Sequence, residues 1–337
     1  MSRTDTLIDE LGPRSVDPDD PSLIDVILEE VARAPGGATD FEDRYETRKV
    51  IGKGAMGEVR LCFDRAIGRE VAMKLIRRES VAPGSRWRFV REARIQGQLE
   101  HPAIVPLYDL GVAPDGRLWF TMKRVEGESL GELFDALRAG DTAARERATP
   151  RRLLGWLARV CLALDYIHAR GVVHRDLKPD NVMLGRYGEV YVLDWGLAKL
   201  LEATSARAPG DGPIKPLIDA SGAKRTGEGA VLGTPGYMAP EQLRGNVDQV
   251  EARSDVYSIG TLLFEALTLT PLHGTGTMQQ KLLSVLQTDG ARPSRVVPGI
   301  DEGLDAICVA CTRLDPANRF GSARAVAFAL EGYLERG

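Results

Sequence analysis

The sequence predicts an α+β fold in which a small β-rich lobe precedes a larger α-helical lobe. Residues 45–123 contain five segments with the alternating or β-branched residues typical of strands, and one amphipathic helix is predicted among them at residues 86–99. From about Gly131 onward, long apolar segments recur at helical spacing instead. A chain of 337 residues is long enough for both parts to bury a core.

The predicted elements follow one another in a simple order. The strand segments are YETRKVIG, EVRLCFD, EVAMKLI, LYDLGV and RLWFTMK. The strongest helical segments are LLGWLARVCLALDYIHARG and DVYSIGTLLFEALTL. Residues 139–150 are predicted to be a polar connector between helices, and residues 203–229 a long surface loop. We therefore expect one domain over residues 45–335, with the β-rich lobe at about 45–124 and the helical lobe at about 125–335.

Residues 1–44 differ from the rest of the chain in composition. They are acidic and rich in Asp, Pro and Gly, which predicts a mostly disordered arm. Inside the arm, apolar residues at helical spacing predict a short helix over residues 22–33, with Ser22 as its N-cap. Such a helix would either pack on its own domain or dock on a partner.

Composition and charge exclude several classes of protein. The net charge of −4 gives no reason to expect a nucleic-acid partner. No apolar run reaches the roughly 18 residues that a membrane span needs, and the acidic N-terminus does not resemble a signal peptide. Four cysteines are too few for a disulfide scaffold. We therefore expect a cytoplasmic protein with no membrane segment in this chain.

A glycine-rich segment lies between the first two predicted strands. The sequence IGKGAMGEV places Gly52, Gly54 and Gly57 in the pattern G-x-G-x-x-G-x-V. Glycines let a backbone come close to phosphates, although a tight β-turn or a dinucleotide-binding fingerprint would use the same letters. The dinucleotide fingerprint needs a helix after the glycines, whereas a strand is predicted here, so that alternative is disfavoured.

A lysine follows in the next strand, in the segment VAMK. Lysines at strand ends are usually solvated, but after a glycine lid Lys74 is placed to reach the phosphates of a nucleotide. A carboxylate must then hold its ammonium group. Glu92 of the FVREARI helix is the best candidate, and Glu100, at the end of that helix, is a weaker one.

A dense polar cluster follows a strongly apolar helix. The segments HRDLKPDN, at residues 174–181, and LDWG, at residues 193–196, supply Asp176, Lys178, Asn181 and Asp194. Two carboxylates, an amide and an ammonium group suit phosphoryl transfer, in which one carboxylate orients the attacking hydroxyl and oxygen ligands hold Mg²⁺. The alternative is a polar turn whose side chains cap the backbone.

Taken in order, these motifs resemble those of eukaryotic-type Ser/Thr protein kinases, and more narrowly their bacterial members, over residues 45–334. The resemblance implies a bilobal protein-kinase fold and transfer of the ATP γ-phosphoryl group, with Mg²⁺, to protein Ser/Thr hydroxyls. It implies catalytic or metal-binding roles for a set of residues in these motifs, which are Lys74, Glu92, Asp176, Lys178, Thr234, Asn181 (metal) and Asp194 (metal).

The resemblance also implies where ATP would bind. Met122 resembles the gatekeeper residue, and the backbone of Arg124 and Val125 resembles the hinge that contacts the adenine edge. The apolar members of the set have plain core packing as an alternative. The implied nucleotide contacts are Ile51, Gly52, Lys53, Gly54, Gly57, Val59, Ala72, Lys74, Met122, Arg124, Val125 and Met183.

Further motifs resemble structural and substrate-binding parts of the family. GTPGYMAPE, at residues 233–241, resembles the substrate-recognition loop, and Arg319 resembles the partner of its last residue, Glu241. Asp255 resembles the aspartate that braces the catalytic loop. One position departs from the family pattern, because Trp195 stands where Phe is usual. We expect Trp195 to fill the same apolar slot without loss of metal binding.

The resemblance implies control by phosphorylation of the long loop. Arg175, with Lys199 as a second receiver, would bind a phosphate carried by Thr226, with Thr204, Ser205 and Ser221 as alternative acceptors. The alternative is that these residues are loop hydroxyls with no regulatory role. Self-association for phosphorylation in trans is a further expectation. The CxxC pair at Cys308 and Cys311 is predicted to be core, since no second pair completes a zinc site. His101, His168, His174 and His273 are predicted to be structural or surface residues.

Two other functions remain as alternatives. A nucleotide-binding scaffold would bind ATP and transfer nothing, and the intact polar cluster disfavours it. A small-molecule or lipid kinase is disfavoured by the APE segment and by Lys178, which are typical of a protein-substrate platform.

Overall fold

The computed structural model describes residues 41–54, 57–77, 85–201, 233–245 and 249–336. These residues form two compact units. Within the described ranges, the first unit holds residues up to Glu100 together with Val105–Val125, and the second holds His101–Ile104 and the chain from Glu126 onward. The predicted helix at residues 22–33 and the loop hydroxyls Thr204, Ser205, Ser221 and Thr226 lie outside the described residues.

The first unit is built on a five-stranded antiparallel sheet with the strand order β1-β2-β3-β5-β4. A short helix precedes the sheet, and a longer helix follows its third strand. In chain order the elements are α1 (Phe41–Arg44), β1 (Tyr45–Lys53), β2 (Gly57–Asp64), β3 (Arg69–Ile76), α2 (Ser85–Gly97), β4 (Leu107–Val112) and β5 (Leu118–Lys123). All five predicted strands and the predicted helix are present.

Each face of the sheet carries a buried apolar cluster, although most residues of β1 are exposed. One face packs against α2 through a cluster formed by Ile76, Phe89, Val90, Ala93, Leu118 and Phe120. The opposite face carries a second cluster formed by Tyr45, Cys62, Val71, Met73, Leu75, Ala113 and Trp119. Because side chains alternate along a strand, Lys74 lies on the same face as Ile76, which is the face that α2 covers.

The packed domain begins slightly earlier than the sequence predicted. Residues 41–44, which were predicted to belong to the disordered arm, form the one-turn helix α1. The Phe41 ring lies 5.3 Å from the Trp119 ring, and Arg44 pairs with Asp64 at 3.3 Å and with Asp109 at 3.0 Å. Residues 41–44 are mostly polar, so their sequence shows no apolar pattern that predicts a helix. Their apolar contact comes from the single aromatic side chain of Phe41.

The second unit is mainly helical. Its helices are α3 (Leu130–Arg138), α4 (Thr142–Arg147), α5 (Pro150–Ala169), α6 (Pro240–Leu243), α7 (Ala252–Thr268), α8 (Met278–Gln287), α9 (Glu302–Cys311) and α10 (Ala323–Arg336). Its strands are β6 (Gly127–Ser129), β7 (Val172–Val173), β8 (Val182–Gly185), β9 (Val190–Val192) and β10 (Lys199–Leu200). The strands form a three-stranded sheet, ordered β6-β8-β9, and a β10-β7 pair.

Two helices of this unit determine where the polar residues lie. Helix α5 begins at a Thr149 cap with Pro150 in its first turn, and its apolar face is buried. Residues 254–266 of α7 are all buried, so this helix runs through the interior of the unit. A polar side chain near its start, such as Asp255, is therefore held far from water and must find partners inside the protein.

The prediction of a polar connector at residues 139–150 is wrong in one respect. Residues Thr142–Arg147 form α4, whose first turn is capped by the Asp141 side chain accepting the Ala144 N–H at 2.8 Å. With Ala144 as its only buried residue, α4 lacks the apolar face from which a helix is recognised. Among the described residues, no helix is both long and apolar enough to span a membrane.

Candidate active site

The three predicted glycines lie at the junction of the first two strands: Gly52 is in β1, Gly54 follows β1, and Gly57 begins β2. The Gly54 N–H donates to the Gly57 carbonyl oxygen at 2.8 Å. A Cβ on Gly57 would lie 2.2 Å from the Leu75 carbonyl oxygen, so strand packing alone requires glycine there. A Cβ on Gly52 or Gly54 would meet its nearest described neighbour only at 3.6 or 3.9 Å. Packing therefore explains Gly57, while the other two glycines fit a backbone that a ligand approaches closely.

Lys74 and Glu92 form the predicted ion pair within the first unit. The Lys74 Nζ atom donates to Glu92 Oε1 at 2.5 Å, and the two side chains are 14% and 2% exposed. Nζ also lies 5.7 Å from the centre of the Phe120 ring. Removing either partner would strand the other charge in a buried place, so the pair fixes the position of the ammonium group.

Several of the predicted adenine contacts share the sheet face that carries Lys74. Val59 of β2 pairs with Lys74, and Met122 of β5 pairs with Ala72. Because paired residues in neighbouring strands point to the same side, these four side chains lie on one face. Ala72 is buried and the other two apolar residues are half-buried. This surface is apolar with one cation, which suits a planar ring that carries phosphates.

The remaining predicted nucleotide contacts lie at the ends of elements. Ile51 is 46% exposed, and Lys53 is also exposed. Arg124 is ion-paired with Glu70 through its guanidinium group, which leaves only its backbone for the predicted hinge contact. In the second unit, Met183 lies in β8, is half-buried, and pairs with Ser129 and Tyr191 of the neighbouring strands.

Asp255 anchors the backbone of the loop at residues 174–181, which the resemblance implies is the catalytic loop. Its carboxylate accepts the N–H groups of His174 and Arg175, each at 2.9 Å, and lies 2.7 Å from His168 Nε2. Burial alone would raise the pKa of this carboxyl. The His168 hydrogen bond, the charges of His168 and His174 and the Arg175 amide outweigh burial, and the pKa lies below its ordinary value. Asp255 is thus a buried anion that positions the loop.

Asp176, Lys178 and Thr234 form one hydrogen-bonded group. Asp176 Oδ1 accepts both the backbone N–H and the hydroxyl of Thr234 at 2.9 Å. Lys178 Nζ donates to Thr234 Oγ1 at 3.0 Å and lies 3.4 Å from Asp176 Oδ2. Asp176 and Lys178 are 10% and 23% exposed, so solvent can still reach them. The loop at residue 234 thereby joins the catalytic loop.

Asn181 and Asp194 are joined through the backbone. The Leu193 N–H donates to the Asn181 carbonyl at 2.8 Å, which places Asp194 next to the catalytic loop. Asn181 Nδ2 donates to the Asp176 carbonyl oxygen at 2.7 Å and to Asp176 Oδ2 at 3.3 Å. Since the amide nitrogen makes these bonds, the Asn181 Oδ1 atom is the one suited to a hard cation.

The oxygen atoms of Asn181 and Asp194 suit Mg²⁺, which takes several ligands from water and substrate, better than they suit a metal ion held only by protein side chains. Within the described ranges, no group of three or more His, Cys, Asp or Glu side chains is arranged to hold an ion. Mg²⁺ usually binds one or two carboxylates, waters and substrate phosphates. An Asp194 carboxylate with an Asn181 amide oxygen matches that requirement.

Trp195 fills an apolar slot beside the loop, as predicted. It is 1% exposed, and its ring packs edge-on against His174 at 4.9 Å between centres. His174 Nε2 lies 3.0 Å from the Leu193 carbonyl oxygen, so the imidazole has a structural position. Asp194 has a φ of 63°, in the left-handed region, and Gly196 N–H donates to its carboxylate at 3.2 Å. Such backbone strain is found where side chains are held for function.

Glu241 and Arg319 form a fully buried bidentate pair, with N–O distances of 2.8 and 2.9 Å. Their side chains are 1% and 0% exposed. Ser254 also donates to Glu241 at 2.7 Å, and Arg319 donates to the carbonyl oxygens of Arg253, Arg313 and Leu314. The predicted partnership is therefore confirmed, and it fixes the end of the segment that contains Thr234.

Comparison with known proteins identifies the family. The protein kinase domain family matches residues 45–329. This chain belongs to that family. The predicted protein-kinase fold, with its β-rich N-terminal part and helical C-terminal part, is confirmed.

Bacterial protein kinases are similar to this one over most of its chain. It is 36% identical over 304 residues to Serine/threonine-protein kinase PknD of Chlamydia trachomatis serovar D, which covers 87% of this chain and 32% of the relative. It is 33% identical over 302 residues to Serine/threonine-protein kinase PknD of Protochlamydia amoebophila, which covers 87% and 30%. This chain thus spans about a third of the length of these curated relatives.

The sequence did not reveal all the residues that hold the kinase loops. Gln242 Nε2 donates to the Arg175 carbonyl at 3.0 Å, and Tyr237 donates to Glu265 at 2.7 Å. His168 was predicted to be structural, but its contact with Asp255 was not predicted. The position of Gln242, directly after the motif residue Glu241, could have indicated that its side chain also holds a loop.

The cysteines and the proposed phosphate receivers have definite environments. Cys308 and Cys311 are buried in α9, where burial raises the pKa of both thiols, in agreement with a core position. Arg175 has a φ of 70°, and burial lowers the pKa of its guanidinium group. Lys199 Nζ donates to the Val250 carbonyl oxygen at 3.1 Å.

Proposed function

We propose that this chain is a serine/threonine protein kinase that transfers the γ-phosphoryl group of ATP to protein hydroxyls. One observation carries the proposal: Asp176 Oδ1 and Lys178 Nζ both contact the Thr234 hydroxyl. A carboxylate and an ammonium group held around a hydroxyl are arranged as they would be around the hydroxyl of a substrate.

In the proposed mechanism, Asp176 orients the attacking hydroxyl and accepts its proton as the new oxygen–phosphorus bond forms and the bond from the γ-phosphorus to the bridging oxygen breaks, which releases ADP. Lys178, beside it, stabilises the negative charge that spreads over the transferring oxygens. Lys74, fixed by Glu92, contacts the non-transferred phosphates. Each of these groups is positioned before substrate binds, so little reorganisation is needed during the reaction.

Asn181 and Asp194 would hold Mg²⁺ through oxygen atoms. When bound, the ion would neutralise charge on the phosphate oxygens. Asn181 has a second task, because its amide nitrogen also steadies Asp176. The residues that contact the base would be those of the Ala72 and Met122 sheet face and the backbone at Arg124 and Val125.

The proposal extends to control and place of action. Arg175, whose buried Nε atom has no hydrogen-bond partner among the described residues, would receive a phosphate placed on the loop by autophosphorylation, with Thr226 as the preferred acceptor. Such a step would bring two copies of the chain together. Four buried free thiols support a reducing compartment, so we place the chain in the cytoplasm.

The test is incubation of the full chain with γ-labelled ATP, Mg²⁺ and a generic protein acceptor, followed by phosphoamino-acid analysis. We expect label on Ser and Thr. An Asp176→Asn variant should lose a factor of about 10²–10⁴ in rate while it still binds ATP. Asp180→Asn, an exposed carboxylate of the same loop, is the matched control and should keep its rate.

Three results would contradict the proposal. ATP binding without transfer would indicate a scaffold. Label on lipid or a small molecule, but not on protein, would indicate another kinase class. Label mainly on tyrosine would refute the assignment of Ser/Thr acceptors.

A further inference from the structure

The second unit contains a basic cavity built from residues that the proposed catalytic machinery does not use. Its volume is about 790 Å³. Four arginines, one tryptophan and one tyrosine contribute to its wall, together with one carboxylate. These side chains are Arg147, Arg152, Arg159, Arg186, Trp156, Tyr187 and Glu128.

Helix α5 supplies one wall in a regular pattern. Arg152, Trp156 and Arg159 are separated by four and three residues, so they lie on one face of the helix. A separation of seven residues places the two arginines about 10 Å apart along the axis, with the indole between them. Trp156 is half-buried, while both arginines are exposed.

The hairpin between β8 and β9 supplies another wall. Gly188 has a φ of 86°, which closes the tight turn, and Tyr187 at its tip is 90% exposed. Arg159 Nη1 donates to the Gly188 carbonyl oxygen at 2.6 Å, which joins the hairpin to α5. The Arg186 N–H donates to the Glu126 carbonyl oxygen at 2.9 Å. One side-chain-to-backbone bond and one backbone bond therefore hold the walls of the cavity together before any ligand binds.

The positive charge of the cavity is only partly neutralised. Arg147 pairs with Glu128 through three contacts of 2.9–3.2 Å, and Arg186 pairs with Glu126 at 3.1 Å. Arg152 and Arg159 have no carboxylate partner among the described residues, and their side chains donate to the backbone carbonyl oxygens of Glu146, Arg147 and Gly188. Two guanidinium charges thus face the cavity without a counter-ion from this part of the chain.

We infer that this cavity binds a phosphorylated small molecule with a planar ring. Guanidinium groups bind phosphate through paired N–H donors, and an indole face stacks on planar rings. Its volume is within the range of about 300–1,000 Å³ that small-molecule sites have, so a ligand of mononucleotide size fits. One ring over Trp156 would place its phosphate within reach of Arg152 or Arg159. A single half-buried indole flanked by two arginines matches one ring with one phosphate, so the lining favours a small molecule over a peptide.

The experiment measures binding of flavin mononucleotide to the full chain, since its planar ring loses fluorescence when it stacks on tryptophan. Riboflavin, which has the ring without the phosphate, is the matched probe. A saturating non-hydrolysable ATP analogue with Mg²⁺ is present throughout, so that the proposed catalytic site is filled. We expect one molecule bound per chain, with quenching, and affinity for riboflavin at least about tenfold lower, as loss of a charge-assisted contact implies.

Variants locate the site. Arg152→Gln and Arg159→Gln should each weaken binding about tenfold or more, and Trp156→Leu should abolish quenching. Arg151→Gln removes an equally exposed charge from the adjacent position of α5, which does not line the cavity, and should leave binding unchanged. Circular dichroism confirms that each variant is folded.

Several outcomes would overturn the inference. Equal affinity for riboflavin and flavin mononucleotide would show that no phosphate contact contributes to binding. An equal loss of affinity in Arg151→Gln would show that the arginines act only by non-specific charge attraction. Displacement by the ATP analogue would assign binding to the nucleotide site. Absence of binding by flavin mononucleotide, with Arg152-dependent binding of a phosphopeptide, would indicate a peptide site instead. None of these outcomes bears on phosphoryl transfer, which is measured separately.

Discussion

The carboxylate of Asp255 accepts the backbone N–H of Arg175 at 2.9 Å, and Arg175 has a φ of 70°. A non-glycine residue in the left-handed region costs free energy that its surroundings must offset. The same carboxylate accepts the His174 N–H, so one buried side chain determines the backbone path that leads into Asp176. This relationship predicts how the loop responds when that anion is removed.

Asp255→Asn should lower kcat by about tenfold or more and reduce the free energy of unfolding by about 1–3 kcal/mol. An amide has one oxygen in place of two, so it cannot accept both backbone N–H groups and contact His168 as a charged partner. Turnover and urea unfolding measure the two effects. Asp165→Asn, which removes a more exposed carboxylate paired with Arg324, is the control. Unchanged turnover in Asp255→Asn would contradict the anchoring role.

The Asp255 anion also predicts a pH dependence. Its pKa in the fold lies below the ordinary 3.8, so the folded protein releases this proton more readily than the unfolded chain. Its stabilising contribution is complete above pH 3.8 and is lost as the pH falls through the lower folded value. Urea unfolding of the wild type and Asp255→Asn between pH 3 and pH 6 should show a difference in stability that shrinks at the acid end.

Thr234→Ala should lower kcat by about tenfold, whereas Thr234→Ser should keep most of it. The hydroxyl joins Asp176 and Lys178, and serine retains that oxygen while alanine does not. Loss of hydrogen bonds to charged groups costs about 1.5–3 kcal/mol, which sets the expected scale. Steady-state kinetics of both variants provide the measurement. Similar losses in the two variants would point to the methyl group rather than the hydroxyl.

Arg319→Met should destabilise the protein by about 3–5 kcal/mol, because it leaves the Glu241 carboxylate buried without its cation. Adding Glu241→Gln to Arg319→Met should recover part of the loss, since the stranded charge is then gone. Arg324→Met, at a 61% exposed arginine, should cost only about 0–1 kcal/mol. Denaturant unfolding gives all three values. A double variant less stable than Arg319→Met would contradict the explanation.

The buried His273 side chain predicts a second pH dependence of protein stability, at higher pH than the one due to Asp255. Burial lowers its pKa from 6.5 to about 4, and it lies between Tyr257 and Ser284 at 2.9 and 3.0 Å. Between these pH values the unfolded chain binds this proton and the folded protein does not. Stability should therefore fall as the pH drops from 6.5 to about 4, by up to about 1.4 kcal/mol per pH unit.

His273→Gln is the matched variant for that measurement. Glutamine can hydrogen-bond to both neighbours but does not titrate, so its unfolding free energy should depend less on pH over the same range. Identical slopes for the wild type and the variant would show that His273 is not the group responsible.

Local sequence was enough to predict most of the elements and the motif residues. Strand alternation located β1 to β5, and apolar spacing located α5 and α7, because those patterns follow from the period of each backbone. Local sequence did not predict α1 or α4, because neither has an apolar face. Helix α1 packs through one aromatic side chain, and α4 has one buried residue. The Lys74–Glu92 pair was predicted from the order of the motifs, because the helix that carries Glu92 follows the lysine strand. The Glu241–Arg319 pair came from resemblance, since residues so distant in sequence have no local signal.

Residue types and their order along the chain establish which chemical groups are present, namely the glycine segment followed by the polar cluster of the catalytic loop. Packing of the whole chain brings some of these groups together, makes Asp255 a buried anion that holds the loop, and places exposed arginines of α5 and the β8–β9 hairpin around one basic cavity. The physical reason is that residue type and spacing fix a local backbone, whereas burial, charge pairing and pKa depend on neighbours brought together only when the chain packs.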